Sequence, residues 1–145
     1  MPLSLLDPAN EIHAGAQARF DTEQIAWLGT VGRDGFPHAV PIWFLEHHDR
    51  IIVLSPPASA KVRNLRQNPR ALLHLEGGPT GEYLTELQGT AVISDRPAAE
   101  WMPELGSAYE AKYRSGLAGI KLTMDKMAQQ YSAVIEFTPV KLIAW

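Results

Sequence analysis

The chain has 145 residues, of which 46% are hydrophobic and 20% charged, so it is too apolar to be disordered and too short for two separate cores. Its formal net charge of -3 excludes a protein that binds nucleic acid through overall basicity, and the absence of cysteine excludes disulfides and thiolate chemistry. No signal peptide and no apolar run of the ~20 residues needed to cross a membrane is present, so we expect a single cytoplasmic domain over residues 1–145.

The N-terminal half predicts one helix followed by three strands. Asp7 and Pro8 are typical of a helix start, with Asp7 as the N-cap and Pro8 in the first turn. Runs rich in Val, Ile, Trp and Phe then predict strands at 25–31, 37–45 and 50–55, separated by the turn sequences Gly32-Arg33-Asp34-Gly35 and His47-His48-Asp49. Three strands joined by tight turns form an antiparallel meander.

The second half begins after the sheet-breaking pair Pro56-Pro57. Ser59 predicts the N-cap of a helix at 60–67, which ends before Pro69 because the residue preceding a proline avoids helical geometry. The remaining predicted elements are a strand at 71–76, a strand at 83–94 bent at Gly89, helices at 98–114 and 124–130, and a strand at 132–145 in which Pro139 indicates an edge or a bulge. This pattern predicts a mainly β fold, a six-stranded antiparallel split β-barrel with flanking helices.

The segment 54–65 carries the strongest chemical signal. It joins a strand end bearing Ser55, a rigid proline turn, and a helix start bearing Ser59 and Lys61. The free amides and positive dipole end of a helix bind anions, and hydroxyl and ammonium groups add donors, so a phosphate site is one interpretation. An ordinary helix cap beside a solvated lysine is the other, and spacing alone does not separate the two.

The same segment, followed by Asn68-Pro69-Arg70, resembles the phosphate-binding segment of the pyridoxamine 5'-phosphate oxidase-like split-barrel family. The stretches 27–31, 34–38 and 40–44 are similar to the first two strands of that family. The resemblance is close over residues 25–76, and the order of elements continues to residue 145. In detail the chain looks most like the flavin/deazaflavin oxidoreductase branch, in which similar proteins use coenzyme F-420.

The resemblance implies a flavin-type cofactor, coenzyme F-420 or FMN, at the interface of a homodimer. It assigns the phosphate to Ser59, Ala60 and Lys61, the ribityl chain and ring edge to Leu54 and Ser55, and the ring to Val40, Pro41 and Ile42. Trp43 and Trp145 are candidates for contact with the second subunit's cofactor.

Two departures from the family pattern narrow this expectation. Ala60 stands where many FMN-binding relatives have Arg or another polar residue, so one phosphate donor is absent. The last residues, 141–145, lack the paired Arg and His with which true pyridoxamine phosphate oxidases hold their substrate, so oxidation of vitamin B6 is not expected.

The remaining polar residues predict no catalytic side chain and no metal site. His47 and His48 are adjacent in a turn and make poor joint ligands. His74 alternates with buried-type leucines and could face a cofactor cavity, although a core or surface position is more common. Neither a Gly-x-Ser-x-Gly elbow nor a Ser-His-Asp arrangement is present. The basic residues of 63–70 are either a solvated helix face or a groove for the anionic tail of F-420.

We therefore expect an oxidoreductase in which the cofactor performs the hydride chemistry on a small conjugated substrate. The alternatives are a non-catalytic carrier of flavin, deazaflavin or haem, and a cofactor-free interaction protein.

Overall fold

The computed structural model describes residues 2–145 and shows a curled antiparallel sheet of seven strands with four helices around it. The helices are α1 (Glu11–Thr22), α2 (Ala60–Gln67), α3 (Ala98–Gly119) and α4 (Met124–Gln130). The strands are β1 (Ala26–Val31), β2 (Pro37–Ile42), β3 (Leu45–His47), β4 (Arg50–Ser55), β5 (Arg70–His74), β6 (Thr85–Ile93) and β7 (Ala133–Ala144).

The sheet is curled because its two end strands are neighbours in the chain. The strand order is β2-β1-β5-β6-β7-β4-β3, so β2 and β3 lie at opposite ends of the ladder. Only Trp43 and Phe44 connect them, and three steps between Cα atoms span at most about 11 Å. The ends of the sheet must therefore approach each other without pairing, which makes the barrel split at this point.

The prediction of six strands is wrong, because the strand predicted at 37–45 is broken into β2 and β3. At the break the backbone of Phe44 bonds to side chains of α3: its N–H donates to Tyr113 Oη at 2.7 Å, and its carbonyl accepts from Lys112 Nζ at 2.7 Å. These hydrogen bonds from side chains take the place of backbone pairing between strands at Phe44. Nothing in the hydrophobic run at 37–45 predicts them.

The predicted start of the first helix is also wrong, whereas two other helices are confirmed. Asn10, not Asp7, is the N-cap of α1, and its Oδ1 accepts from the N–H groups of Ile12 and His13. Asp7 instead accepts from the N–H of Ala9 within the preceding turn. The bounds predicted for helices 60–67 and 124–130 agree with α2 and α4.

The expected bend at Gly89 is a register shift between β6 and β7. Gln88 pairs with Lys141 and Gly89 with Pro139, so Val140 is an extra residue on β7. A Cβ at Gly89 would collide with the carbonyl oxygen of Thr138, which explains why glycine stands there. Pro139 also lies beyond the last pair of β7 with β4, Phe137 with Ile51, so its missing N–H breaks no bond to β4.

Two apolar clusters hold the fold together. One fills the barrel between the sheet, α1 and α2, and includes Phe20, Phe44 and Phe137. The other lies between β4 and β7 on one side and α3 and α4 on the other, and includes Tyr109 and Tyr113. No helix within residues 2–145 combines the length and apolar character needed to cross a membrane.

Candidate functional site

The turn between β4 and α2 is fixed by a pair of serine hydroxyls. Ser59 is the N-cap of α2, and its Oγ accepts from the N–H of Val62 at 3.4 Å. Ser55, which is fully buried, has its Oγ 2.8 Å from that of Ser59 and also bonds to the carbonyl oxygen of Pro56. Both hydroxyls are thus engaged inside the segment. The donors left at the helix start are the backbone N–H groups of Ala60 and Lys61, since that of Val62 is bonded to Ser59.

Lys61 brings an uncompensated positive charge to this helix start. Its side chain is half-buried, and no carboxylate within residues 2–145 forms an ion pair with it. Burial lowers the pKa of the Lys61 ammonium, because the charged form loses hydration. An anion beside Lys61 would restore the lost interaction, and this is the property expected of a phosphate site.

Lys61 lines a cavity of about 310 Å³ between the sheet and the α3–α4 region, which we call the inner cavity. Its lining is mostly apolar and aromatic: Ile25, Pro41, Ile42, Trp43, Leu54, Lys61, Tyr109, Ile120, Met127 and Tyr131. Lys61 is the only residue in this set that is cationic at neutral pH. A planar apolar group with an anionic substituent suits such a lining.

The structure brings half of the predicted cofactor-binding residues to this cavity. Pro41, Ile42, Leu54 and Lys61 line it. The other four do not: Val40 packs against the barrel core, and Ser55, Ser59 and Ala60 lie in the turn and helix start next to Lys61.

The sequence predicts that the helical region 97–130 shapes the substrate pocket, but it singles out no residue there. The residues of this region and its end that line the cavity are Tyr109, Ile120, Met127 and Tyr131. The signal available was the spacing of Tyr109 and Tyr113, which puts two aromatic side chains on one helix face. That spacing is equally typical of core packing.

Trp43 forms a rigid part of the cavity wall. Its indole stacks on the ring of Tyr113, with centroids 4.5 Å apart and planes 3° from parallel. Gly116 lies against its edge, and a Cβ on Gly116 would be 2.8 Å from two indole carbons. The indole is therefore held between two positions of α3, which keeps one of its faces available to line the cavity.

A second and larger recess, about 910 Å³, lies on the outer surface of β1, β2, β5, β6 and β7; we call it the outer groove. His74 lines it and stacks on Trp27 with planes 6° from parallel. His38 and Arg70 line it too, but none of the predicted cofactor-binding residues does. The sequence expectation that His74 points away from Leu73 and Leu75 is confirmed, and the space it faces is this groove.

The other candidate residues are scattered. His47 belongs to β3 rather than to the turn, and its Nε2 lies 3.6 Å from a carboxylate oxygen of Glu104. Arg63 donates to the carbonyl oxygen of Ala58 at 2.7 Å, and Arg66 is exposed on the same helix. Within residues 2–145 no group of three His, Asp or Glu side chains is arranged to hold a metal ion.

Solved structures with the same fold include proteins with different described roles. The chain matches Rv2991, a conserved hypothetical protein of Mycobacterium tuberculosis, with a TM-score of 0.74, 22% identity, and coverage of 91% of this chain and 82% of that one. It matches an F420 reductase with a TM-score of 0.64, 18% identity, and coverage of 83% and 89%. It matches HutZ, the haem storage protein of Vibrio cholerae, with a TM-score of 0.70, 18% identity, and coverage of 99% and 94%. At these identities the likeness establishes the fold alone.

Family membership rests on a direct sequence match. No curated protein matches the sequence. The family model described as pyridoxamine 5'-phosphate oxidase, however, matches residues 12–145, which is nearly the whole chain and includes β1 to β7, all of α2 and the full lining of the inner cavity. The chain therefore belongs to the pyridoxamine 5'-phosphate oxidase family, whose split-barrel fold it shares.

Proposed function

We propose that this protein is an oxidoreductase that binds a phosphorylated flavin-type cofactor in the inner cavity and transfers hydride to a small conjugated organic substrate. Coenzyme F-420 is the favoured cofactor, and FMN is the other candidate. The observation that carries this proposal is the half-buried Lys61, which has no acidic partner within residues 2–145 and lines a cavity of apolar and aromatic side chains.

The residues around the cavity fit such a cofactor. Lys61 and the first amides of α2 would hold the phosphate, as a cation and a helix N-terminus do for other anions. Ser55 and Ser59 would act indirectly, because their mutual hydrogen bond fixes the turn that orients this helix. Pro41 and Leu54 would contact the ring.

The chain's own contribution to the reaction is binding, orientation and exclusion of water. When bound, the cofactor supplies the hydride chemistry. The inner cavity is lined by no histidine and no carboxylate, the side chains that most often serve as general acids and bases near neutral pH. Trp43, fixed by Tyr113 and Gly116, would set the plane in which a flat ring can lie.

Two features support F-420 over FMN. Ala60 supplies no side-chain donor to a phosphate, which weakens the case for an FMN site. Arg63 and Arg66 are exposed on α2, next to Lys61 in the chain, and they offer positive charge to a longer anionic tail. Salt screens such exposed charges strongly, so their contribution to F-420 binding should fall as ionic strength rises.

We also propose that the protein acts as a homodimer with the cofactor near the subunit interface. The outer groove and its rim expose apolar side chains that a second subunit could cover, among them Val140, which is 63% exposed, and Phe36, which is 73% exposed. β2 is an exposed edge strand that links the two sites, because residues 37–39 line the outer groove and residues 41–42 line the inner cavity. A subunit that covered the groove would therefore lie near the cofactor. Sedimentation equilibrium across a range of concentrations tests this: a monomer throughout would remove the dimer from the proposal.

The function is tested by titrating the purified apo-protein with F-420 and with FMN in parallel, following quenching of tryptophan fluorescence. We expect saturable binding, tighter for F-420 at low salt. The reduced, bound cofactor is then mixed with conjugated acceptors, and its reoxidation is followed by absorbance. Bound cofactor that no acceptor reoxidises would favour a carrier, and binding of neither cofactor would reject the proposal.

A further inference from the structure

Tyr109 has a buried hydroxyl with no hydrogen-bond partner. The residue lies on α3, is 0% exposed, and lines the inner cavity. No polar atom within residues 2–145 bonds to its Oη. A buried hydroxyl without a partner costs the desolvation of that group in full, and such groups are uncommon in native proteins unless a ligand or an ordered water satisfies them.

Tyr113, four residues further along α3, is a buried tyrosine whose hydroxyl has a structural role. Tyr113 is also buried, but its Oη accepts from the N–H of Phe44 and lies within 2.9 Å of the carbonyl oxygens of Phe44 and Gln24. It anchors α3 to the break between β2 and β3. Tyr109 makes no such contact, so packing of the helix does not explain its hydroxyl.

Within residues 2–145, the other buried side-chain polar atom without a partner lies outside the inner cavity. It is Nε2 of His47, which has the carboxylate of Glu104 3.6 Å away and the ring of Trp101 beside it. Tyr109 is thus the one case, within the described part of the chain, in which an unpaired buried group and a cavity coincide.

The hydroxyl of Tyr109 is a neutral donor. Burial, reinforced by the nearby Tyr113 and Tyr131, raises its pKa well above the usual range, so it keeps its proton at any physiological pH. It therefore needs an acceptor, and the inner cavity offers no carboxylate or histidine to provide one. Because Oη has almost no accessible surface while the cavity is empty, a ligand supplies the missing acceptor only if the cavity wall shifts slightly when the ligand binds.

We propose that the Tyr109 hydroxyl donates a hydrogen bond to a carbonyl or hydroxyl oxygen of the flavin-type cofactor bound in the inner cavity. Lys61 and Tyr109 would then recognise two different parts of one ligand: Lys61 its anionic group, and Tyr109 a neutral acceptor oxygen. This inference rests on the proposed function, because it takes the occupant of the cavity to be that cofactor.

The test is the variant Tyr109→Phe, which removes the hydroxyl and keeps the ring. Its apo form should melt at the same temperature as the wild type or higher, because the unpaired polar group is gone. Its affinity for F-420 or FMN, whichever the wild type binds, should fall by roughly tenfold, the loss expected for one buried hydrogen bond. A gain or no change in apo stability together with a loss of affinity is a combination that general damage to the cavity does not produce.

Tyr131→Phe is the matched control, because Tyr131 lines the same cavity but is only half-buried. We expect its affinity to stay within about twofold of the wild type, since a hydroxyl that water can reach costs little to remove. An unchanged affinity in Tyr109→Phe, an equal loss in both variants, or a lower melting temperature of apo Tyr109→Phe would overturn the inference while the proposed function stands. If the wild type binds neither F-420 nor FMN, the proposed function is rejected and the inference falls with it.

Discussion

Replacing Gly116 by alanine tests whether α3 holds Trp43 in place. The new Cβ would lie 2.8 Å from Cη2 and Cζ2 of Trp43, whereas carbon atoms prefer about 3.5–4.0 Å. The indole cannot simply move aside, because it stacks on Tyr113 at 4.5 Å. Overpacking of this kind costs about 1–3 kcal/mol, and it opposes the ~1 kcal/mol that alanine gains over glycine in a helix.

Gly106→Ala is the matched control, because it makes the same change in α3 on the other side of the kink at Tyr113, away from Trp43. Its Cβ would lie 3.7 Å from atoms of Met102, an ordinary contact, so this variant should be more stable than the wild type by up to about 1 kcal/mol. Gly116→Ala should be less stable than Gly106→Ala by about 1–3 kcal/mol. Urea unfolding followed by far-ultraviolet circular dichroism measures both. Equal stabilities of the two variants would show that Trp43 is free to move and is not a fixed wall.

Three further changes test the contacts around the cavity. Tyr113→Phe leaves the buried N–H of Phe44 without an acceptor and should cost about 1–3 kcal/mol in urea unfolding, opposite in sign to Tyr109→Phe; unchanged stability would contradict the anchor. Ser59→Ala removes the cap of α2 and should cost about 1 kcal/mol; an unaltered urea midpoint would refute that role. Burial lowers the pKa of Lys112 to about 8, below its unfolded value, so the unfolded state binds more protons above that pH. The free energy of unfolding should therefore rise between about pH 8 and 9.5, by less than about 1.4 kcal/mol per pH unit. A Lys112→Met variant whose free energy of unfolding rises equally steeply with pH would contradict this.

Local sequence signals predicted the segment around α2 well. Ser59 is the N-cap and Pro69 follows the helix end, because both features depend on residues close in the chain. The irregularity at Gly89 was also predicted, although it depends on Thr138 of the distant strand β7. The resemblance to the family, carried by residues 25–76, is confirmed by the match over 12–145. Four predicted binding residues also meet in one cavity.

Features that depend on distant contacts were not predictable in this way. The break at Trp43 and Phe44 arises because Lys112 and Tyr113, about seventy positions later, bond to the Phe44 backbone. Tyr109 was not predicted to be a binding residue either, because its spacing on α3 is equally typical of core packing. Its unpaired hydroxyl is visible only once its surroundings are known.

The central claim is that Lys61 recognises the phosphate of a flavin-type cofactor. It is tested most directly by measuring the affinities of the wild type and of Lys61→Met for FMN and for riboflavin, which differ only in the phosphate. A charge-assisted hydrogen bond of about 1.5–3 kcal/mol predicts a loss of roughly 10- to 150-fold for FMN and almost none for riboflavin. Equal losses for the two ligands, or no loss for either, would contradict the assignment of the phosphate site to Lys61.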